Sequence, residues 1–457
     1  MLFEEEASDH AFAVGLYREH LEEAAFLYEQ RRDDLLHDPE LAWTDLADFE
    51  ERLEAHLDAL VLGDDLALAV GQQQREEGDV GALYALVCVL CRHRRRPLFE
   101  ELLDTLDGDE AEHVEAVSDA LVHELPPAWG RLVAAELAHE MPWRQHVALH
   151  VAGHRRLDVG EALQARLHTV PPAVRVPLVW ALGRLGREAV RRDLYHTSLR
   201  HEDPAVRTAT ALTLLRLGEP AALQHVLTQD RTLPEALPLV GLAGTPREQP
   251  ALLDAAARGP VPEAALLALG LLGDPGAIEP LLHHLAQADH AEAAALALHV
   301  LTGAPLFEEV FVEDEVDEDE LFEDEIAQLA RGEPLLRSDG TPYGTTVTRL
   351  AQDPDAWRTW WADHAGTFQR GMRYRLGQPC TPTTLVASLR APTLPGPVRQ
   401  LIYEEVVIRY NVDAPFDTTY RVAQQHRALT TLHQKADAAE SQHRPGRWYF
   451  AGHLQAG

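Results

Sequence analysis

Three histidines, His146, His150 and His154, stand four residues apart in QHVALHVAGH. On one helix they would share a face, as paired metal ligands do. Gly153 should end that helix, however, and no carboxylate stands at a spacing that completes a ligand shell. Packing between helices is therefore the expected role. Cys88 and Cys91 form C-x-x-C inside the apolar run ALVCVLCRH, with no second pair to complete a zinc site. Two buried thiols are expected, and Cys380 stands alone. Trp357, Trp360, Trp361, His364 and Phe368 could stack a base or clamp a proline-rich ligand. Their helical spacing fits hydrophobic core better. The run RHRRRP at 92–97 could hold phosphate, yet in an acidic chain it suits a helix C-terminus or the chain's own carboxylates. No phosphate-binding glycine loop, nucleophile elbow or Ser/His/Asp order is present. No catalytic residue, metal or cofactor is expected, and the protein is expected not to be an enzyme.

The strongest local signal is electrostatic. Between residues 308 and 325 stand twelve acids and no base. Apolar residues interrupt them, which a purely solubilising run does not need. Acids with interleaved aromatics can attract a basic protein by charge and then hold it by ring contact. The expected partner-binding residues are Glu308, Glu309, Phe311, Glu313, Asp314, Glu315, Asp317, Glu318, Asp319, Glu320, Phe322, Glu323, Asp324 and Glu325. The alternative is a solvated loop between repeats. The missing turn glycine and D-x-D-x-D-G order speak against a calcium loop. The net charge of −34 repels nucleic acids and anionic membranes and speeds encounter with basic proteins. The expected partner is thus a basic protein, with no nucleic acid and no membrane. The N-terminal MLFEEEASDH lacks the basic start and apolar core of a signal peptide. No apolar run approaches membrane-spanning length, so a soluble, cytoplasmic protein is expected.

The elements that position these residues are helical. The 457 residues are rich in Leu, Ala, Glu and Arg, all good helix formers. In the first segment Leu21, Ala24, Ala25, Leu27 and Tyr28 share one face. In the second, Leu46, Phe49, Leu53, Leu57 and Leu60 recur at three and four, and Gly63 closes the helix. Together they predict an αα-hairpin over 1–64.

A repeat follows over 65–305. Ala/Leu-rich helices end at Gly153, Gly186, Gly218, Gly244, Gly273 and Gly303, about thirty residues apart. That length holds two short helices and two turns, with glycine supplying the left-handed residue after a helix. One pair cannot bury its apolar face alone, so pairs stack into a curved α-solenoid. The stretch HEDPAVRTATALTLLRLGEPAAL resembles a short HEAT repeat. The predicted fold is an all-α solenoid of HEAT-like helix pairs. An acidic insertion at 306–330, a less regular helical region at 331–436 and a polar, frayed tail at 437–457 follow. Some HEAT-repeat hydroxylases bind two irons through four His-Glu pairs. His123-Glu124, His139-Glu140 and His201-Glu202 are similar, but their gaps of 16 and 62 and the missing fourth pair speak against convergence.

The strings HLEEAAFLYEQR and LADFEERLEAHLDAL, the HEAT-like centre and GMRYRLGQP together resemble a proteobacterial family of HEAT-repeat proteins encoded in type VI secretion loci. The similarity spans roughly residues 15 to 430 and brings no catalytic residue with it. It implies an immunity protein that neutralises a secreted antibacterial effector, or an adaptor that escorts one. The concave or edge surface with its acids would then capture a basic toxin, a nuclease being one that fits. The alternatives are a HEAT-like metalloenzyme built on the histidines and a structural scaffold of the secretion assembly.

Overall fold

In the computed structural model of the chain, the described residues are 2–37, 41–75, 78–186, 188–230, 233–259, 261–313, 331, 336 and 341–456. The fold is an all-α solenoid. Its N-terminal helices are Leu2–His37 and Leu46–Leu62. The five residues expected on the first apolar face are all buried, as are Leu46, Leu53, Leu57 and Leu60. Gly63 caps the second helix with a right-handed backbone, and Asp64 beyond it takes the positive φ.

The stacked repeats share one series of inner helices. These are Val80–His93, Ala111–Glu124, Pro142–Arg155, Arg175–Arg184, Pro204–Arg216, Leu237–Ala243, Glu263–Leu272 and Ala291–Thr302. Each packs on the next, with an outer helix between them in sequence. Helices packed between two neighbours are apolar nearly all round. In Val80–His93 every residue from Gly81 to Cys91 is buried. Gly186, Gly218, Gly273 and Gly303 hold the positive φ expected at the breaks. Gly244 does not: it leaves its helix in an extended conformation. Gly153 does not end its helix either, which continues to Arg155 and is capped by left-handed Arg156. Gly153 instead lies against the Trp180 ring, where a Cβ would collide.

A second set of glycines sits three residues before some closing ones, as in Gly270 and Gly273. A Cβ on Gly270 would lie 2.6 Å from the Ala297 carbonyl oxygen of the next inner helix. The two helix backbones touch there, so any side chain must push repeats apart. We expect Gly270→Ala to cost about 1–3 kcal/mol, read as a lower urea midpoint. Gly259→Ala, whose Cβ would meet nothing within 4 Å, should leave the midpoint unchanged.

The region after the repeats is a strap along the ends of the inner helices. Carbonyls at a helix C-terminus lack intrahelical partners and carry the negative end of the helix dipole. The turn between Tyr374–Arg375 and Gln378–Pro379 meets them first. Leu376 and Gly377 donate their amides to Val300 (2.9 Å) and Leu301 (3.0 Å), and Tyr374 to Gly273 (2.9 Å). Arg373 donates to the carbonyls of Leu271 and Leu272, and Arg375 to Gly270, each at 2.8 Å. Arg409 reaches Gly241 at 3.2 Å and Gly244 at 3.0 Å. The Tyr420 hydroxyl donates to His154 O at 2.8 Å. The strap therefore crosses the repeats in reverse chain order, and the edge it covers is occupied by the chain itself.

Charge pairs rivet the strap down. Glu405, on helix Gly396–Tyr410, accepts from Arg373, Arg375 and Arg409, and all four side chains are fully buried. Glu404 pairs with Arg184 and Arg216, and Asp413 with Arg156 and Arg216. Farther along, Arg92 and Arg421 alternate with Glu54 and Glu124 in a four-membered ring. A buried pair adds little net stability over an apolar core, yet removing one member leaves a costly naked charge.

The expected frayed tail is instead fixed. Helix Val422–Glu440 runs through Ala436, Trp448 is buried, and Ala451 donates its amide to Ile408 O at 2.8 Å. The buried apolar residues form one cluster reaching from Leu21 to Phe450.

Candidate protein-binding interface

The acids that open the 308–325 run stand on a strand rather than a loop. β1 (Phe307–Glu313) pairs antiparallel with β2 (Gly344–Leu350), with Phe307 opposite Leu350 and Val310 opposite Val347. The reason is local: Val310, Phe311 and Val312 stand opposite Val347, Thr346 and Thr345, all residues that favour a pleated backbone. That signal was present in the sequence, masked by the acids around it. Gly344 takes φ +148, and the Phe311 ring lies where its Cβ would stand.

The ribbon is anchored at its base. Ala351 donates its amide to Leu306 O at 3.0 Å, and Trp357 Nε1 donates to Ala351 O at 2.6 Å. The Phe307 ring meets His299 edge-on at 5.8 Å, and His299 itself is fixed by Thr393 Oγ1 (2.9 Å). Glu308 accepts from Arg349 at 2.9 Å across the strands. Phe307 at the base is 41% exposed, and farther out Phe311 and Val312 are 43% and 47% exposed. Large apolar residues this open beside exposed Glu309 form an amphipathic contact surface. Glu313 ends the strand, and Asp314, Glu315, Asp317, Glu318, Asp319, Glu320, Phe322, Glu323, Asp324 and Glu325 lie outside the described residues.

The chain's own arginines cannot neutralise its acids. Complete pairing of 40 bases with 74 acids would leave 34 carboxylates over. Interior acids are satisfied first, because a buried charge demands a partner. On the described part of the ribbon Glu308 pairs with Arg349 and Glu309 is exposed.

The histidines do not converge. His146, His150 and His154 stack along one helix, with His150 and His154 against Trp180 at 6.0 and 4.8 Å. His123 Nδ1 meets the Tyr84 hydroxyl at 2.9 Å, His139 Nδ1 accepts from the Met141 amide, and His201 Nδ1 accepts from the Asp203 amide. Among the described residues no group of three or more His, Cys, Asp or Glu is placed to hold a metal. Burial pushes the Cys88 and Cys91 thiols above their ordinary range. Arg92 reaches Glu54, Asp58 and Glu124, and Arg95 reaches Asp64 and Asp65, so part of the 92–97 run meets its own carboxylates. Trp357 is core, while Trp360 stacks on His364 at 4.2 Å.

The histidine stack has a pH consequence. Burial lowers His150 to about 4 and His154 well below 6.5, with neighbouring cations adding to the effect. Both are neutral in the fold. Above about pH 6.5 the unfolded chain is neutral there too, and stability is full. As pH falls from 6.5 towards 4, only the unfolded chain takes up the protons. Stability should drop by up to about 1.4 kcal/mol per pH unit per histidine. Urea midpoints between pH 7 and 5 check this, and His150→Gln should flatten the slope.

Sequence reasoning missed Arg373, Arg375, Glu404, Glu405 and Arg409. For Glu404, Glu405 and Arg409 the signal was available in LIYEEVVIRY, where charges sit within an otherwise apolar helix. Among the described residues no helix is long and apolar enough to cross a membrane. No curated protein matches the chain. A family model for HEAT repeats matches residues 160–233, which hold the inner helices Arg175–Arg184 and Pro204–Arg216. HEAT repeats are generally protein-interaction scaffolds, and this stretch of the solenoid is similar to them.

Proposed function

We propose that the chain is a binding scaffold that captures a basic protein through its acidic ribbon, acting without catalysis. The carrying observation is the pairing of β1 with β2, which holds Phe311 and Val312 exposed at the start of a twelve-acid run. Long-range charge steers the partner and the apolar residues retain it. The edge along the inner helix ends is filled by the strap, so it does not compete for this role.

With the sequence resemblance to type VI secretion proteins, the reading extends to an immunity protein that neutralises an antibacterial effector, or an adaptor that escorts it. For a nuclease effector the carboxylates would occupy the surface meant for nucleic acid. The test is surface plasmon resonance against the product of the adjacent gene. Association should slow steeply as salt rises from 50 to 500 mM while dissociation changes little. Salt-independent association would reject the acidic mechanism. Stoichiometric iron or zinc by elemental analysis of the purified protein would favour a metalloenzyme instead.

A further inference from the structure

Where the strap meets the helix ends, the interior holds more guanidinium than carboxylate. Arg373, Arg375 and Arg409 share Glu405, so three positive charges face one negative. Among the described residues Arg373 Nη1 and Arg375 Nε are buried without a hydrogen-bond partner. Such groups call for an anion or water nearby.

The same loops present two more arginines at the surface. Arg373 donates its amide to Gly446 O, and Gly446 donates to Cys380 O, both at 2.9 Å. These bonds clamp the turn at Gly371 (φ +76) to the turn at Gly446 (φ +68). Arg370 precedes the first glycine and Arg447 follows the second. Both line one cavity of about 610 Å³, together with Pro246, Asp274, Gly276 and Gly371. Each is exposed, and neither makes an ion pair among the described residues. The lining also holds the carboxylate of Asp274, which accepts from the Gly276 amide at 2.8 Å, so two guanidiniums outnumber one acid there.

We propose that this cavity is an oxyanion site that takes a phosphate group between Arg370 and Arg447. A guanidinium fork matches phosphate oxygens bidentately. The volume lies within the range of small-ligand pockets, about 300–1,000 Å³. The buried cation surplus beside the clamp adds to the local positive field. The chain's −34 charge is screened beyond about 8 Å at physiological salt, so the nearest charges decide. The site is independent of the acidic ribbon.

Isothermal titration calorimetry of the full chain with inorganic phosphate, pyrophosphate and O-phosphoserine tests it. Phosphate should bind one saturable site. Arg370→Gln with Arg447→Gln should weaken binding at least tenfold and leave the melting temperature in phosphate-free buffer unchanged. Exposed Arg390→Gln serves as the unaffected control. Pyrophosphate binding tighter than O-phosphoserine assigns the site to free phosphate compounds, and the reverse order assigns it to a phosphorylated side chain. No saturable binding at millimolar phosphate, or a double variant that binds like the parent, overturns the proposal.

Discussion

Glu405→Gln should cost more stability than any other single amide substitution in this chain. The carboxylate is fully buried and accepts from Arg373, Arg375 and Arg409. Glutamine keeps the shape and removes the only acid of the cluster. Burial already holds Arg373 well below its usual range and lowers Arg375 and Arg409 to about 10, with Arg409 also repelling the other two. Without Glu405 three like charges remain in a water-poor interior. Breaking one buried pair typically costs about 3–5 kcal/mol, and here three pairs go at once. For domains stable by about 5–15 kcal/mol, that is a large share. Urea unfolding should show a much lower midpoint, with the strap releasing first in hydrogen exchange. An unchanged midpoint would mean that the guanidiniums are neutralised by something other than Glu405. Glu263→Gln, on the rim of an inner helix and exposed, should be silent.

Neutralising the ribbon should have the largest effect on function. Changing the acids of 308–325 to Asn and Gln removes twelve negative charges and leaves the apolar residues in place. Electrostatic steering contributes about 10- to 1,000-fold to association rates. We expect the on-rate for a basic partner to fall by about 100-fold at low salt, with a far smaller change at 500 mM. Phe311→Ser with Val312→Ser should act on the other constant, raising the off-rate. Stopped-flow mixing separates the two. Equal binding by parent and amide variant would take the acids out of the mechanism. The ribbon's pairing rests chiefly on β-branched and aromatic residues, and glutamine at 308 can still accept from Arg349, so circular dichroism should be unaltered.

How much of this was written locally is clear from particular residues. Leu21, Ala24 and Leu27 announce a buried face because a helix repeats every 3.6 residues, and no distant contact is needed to see it. Gly186, Gly218, Gly273 and Gly303 mark repeat breaks because few other residues tolerate a left-handed backbone. Gly153 shows the limit: the same string ALHVAGH looks like a helix end, and only the Trp180 ring in the next repeat explains a glycine inside the helix. The strand under the acids was legible in principle, since Val310 and Phe311 find their partners about forty residues on in a Thr/Val run.

The sequence by itself determined helix pairs, their stacking period and a charge of −34. Tertiary structure alone decided which acids stay free. Glu404 and Glu405 adjoin in sequence, and their apolar neighbours announce burial but not partners: one meets Arg184 and Arg216 and the other Arg373 and Arg375. Apolar burial follows a local period. Charge pairing between a strap and the repeats it crosses follows none, because its partners are brought together only when the whole stack has formed.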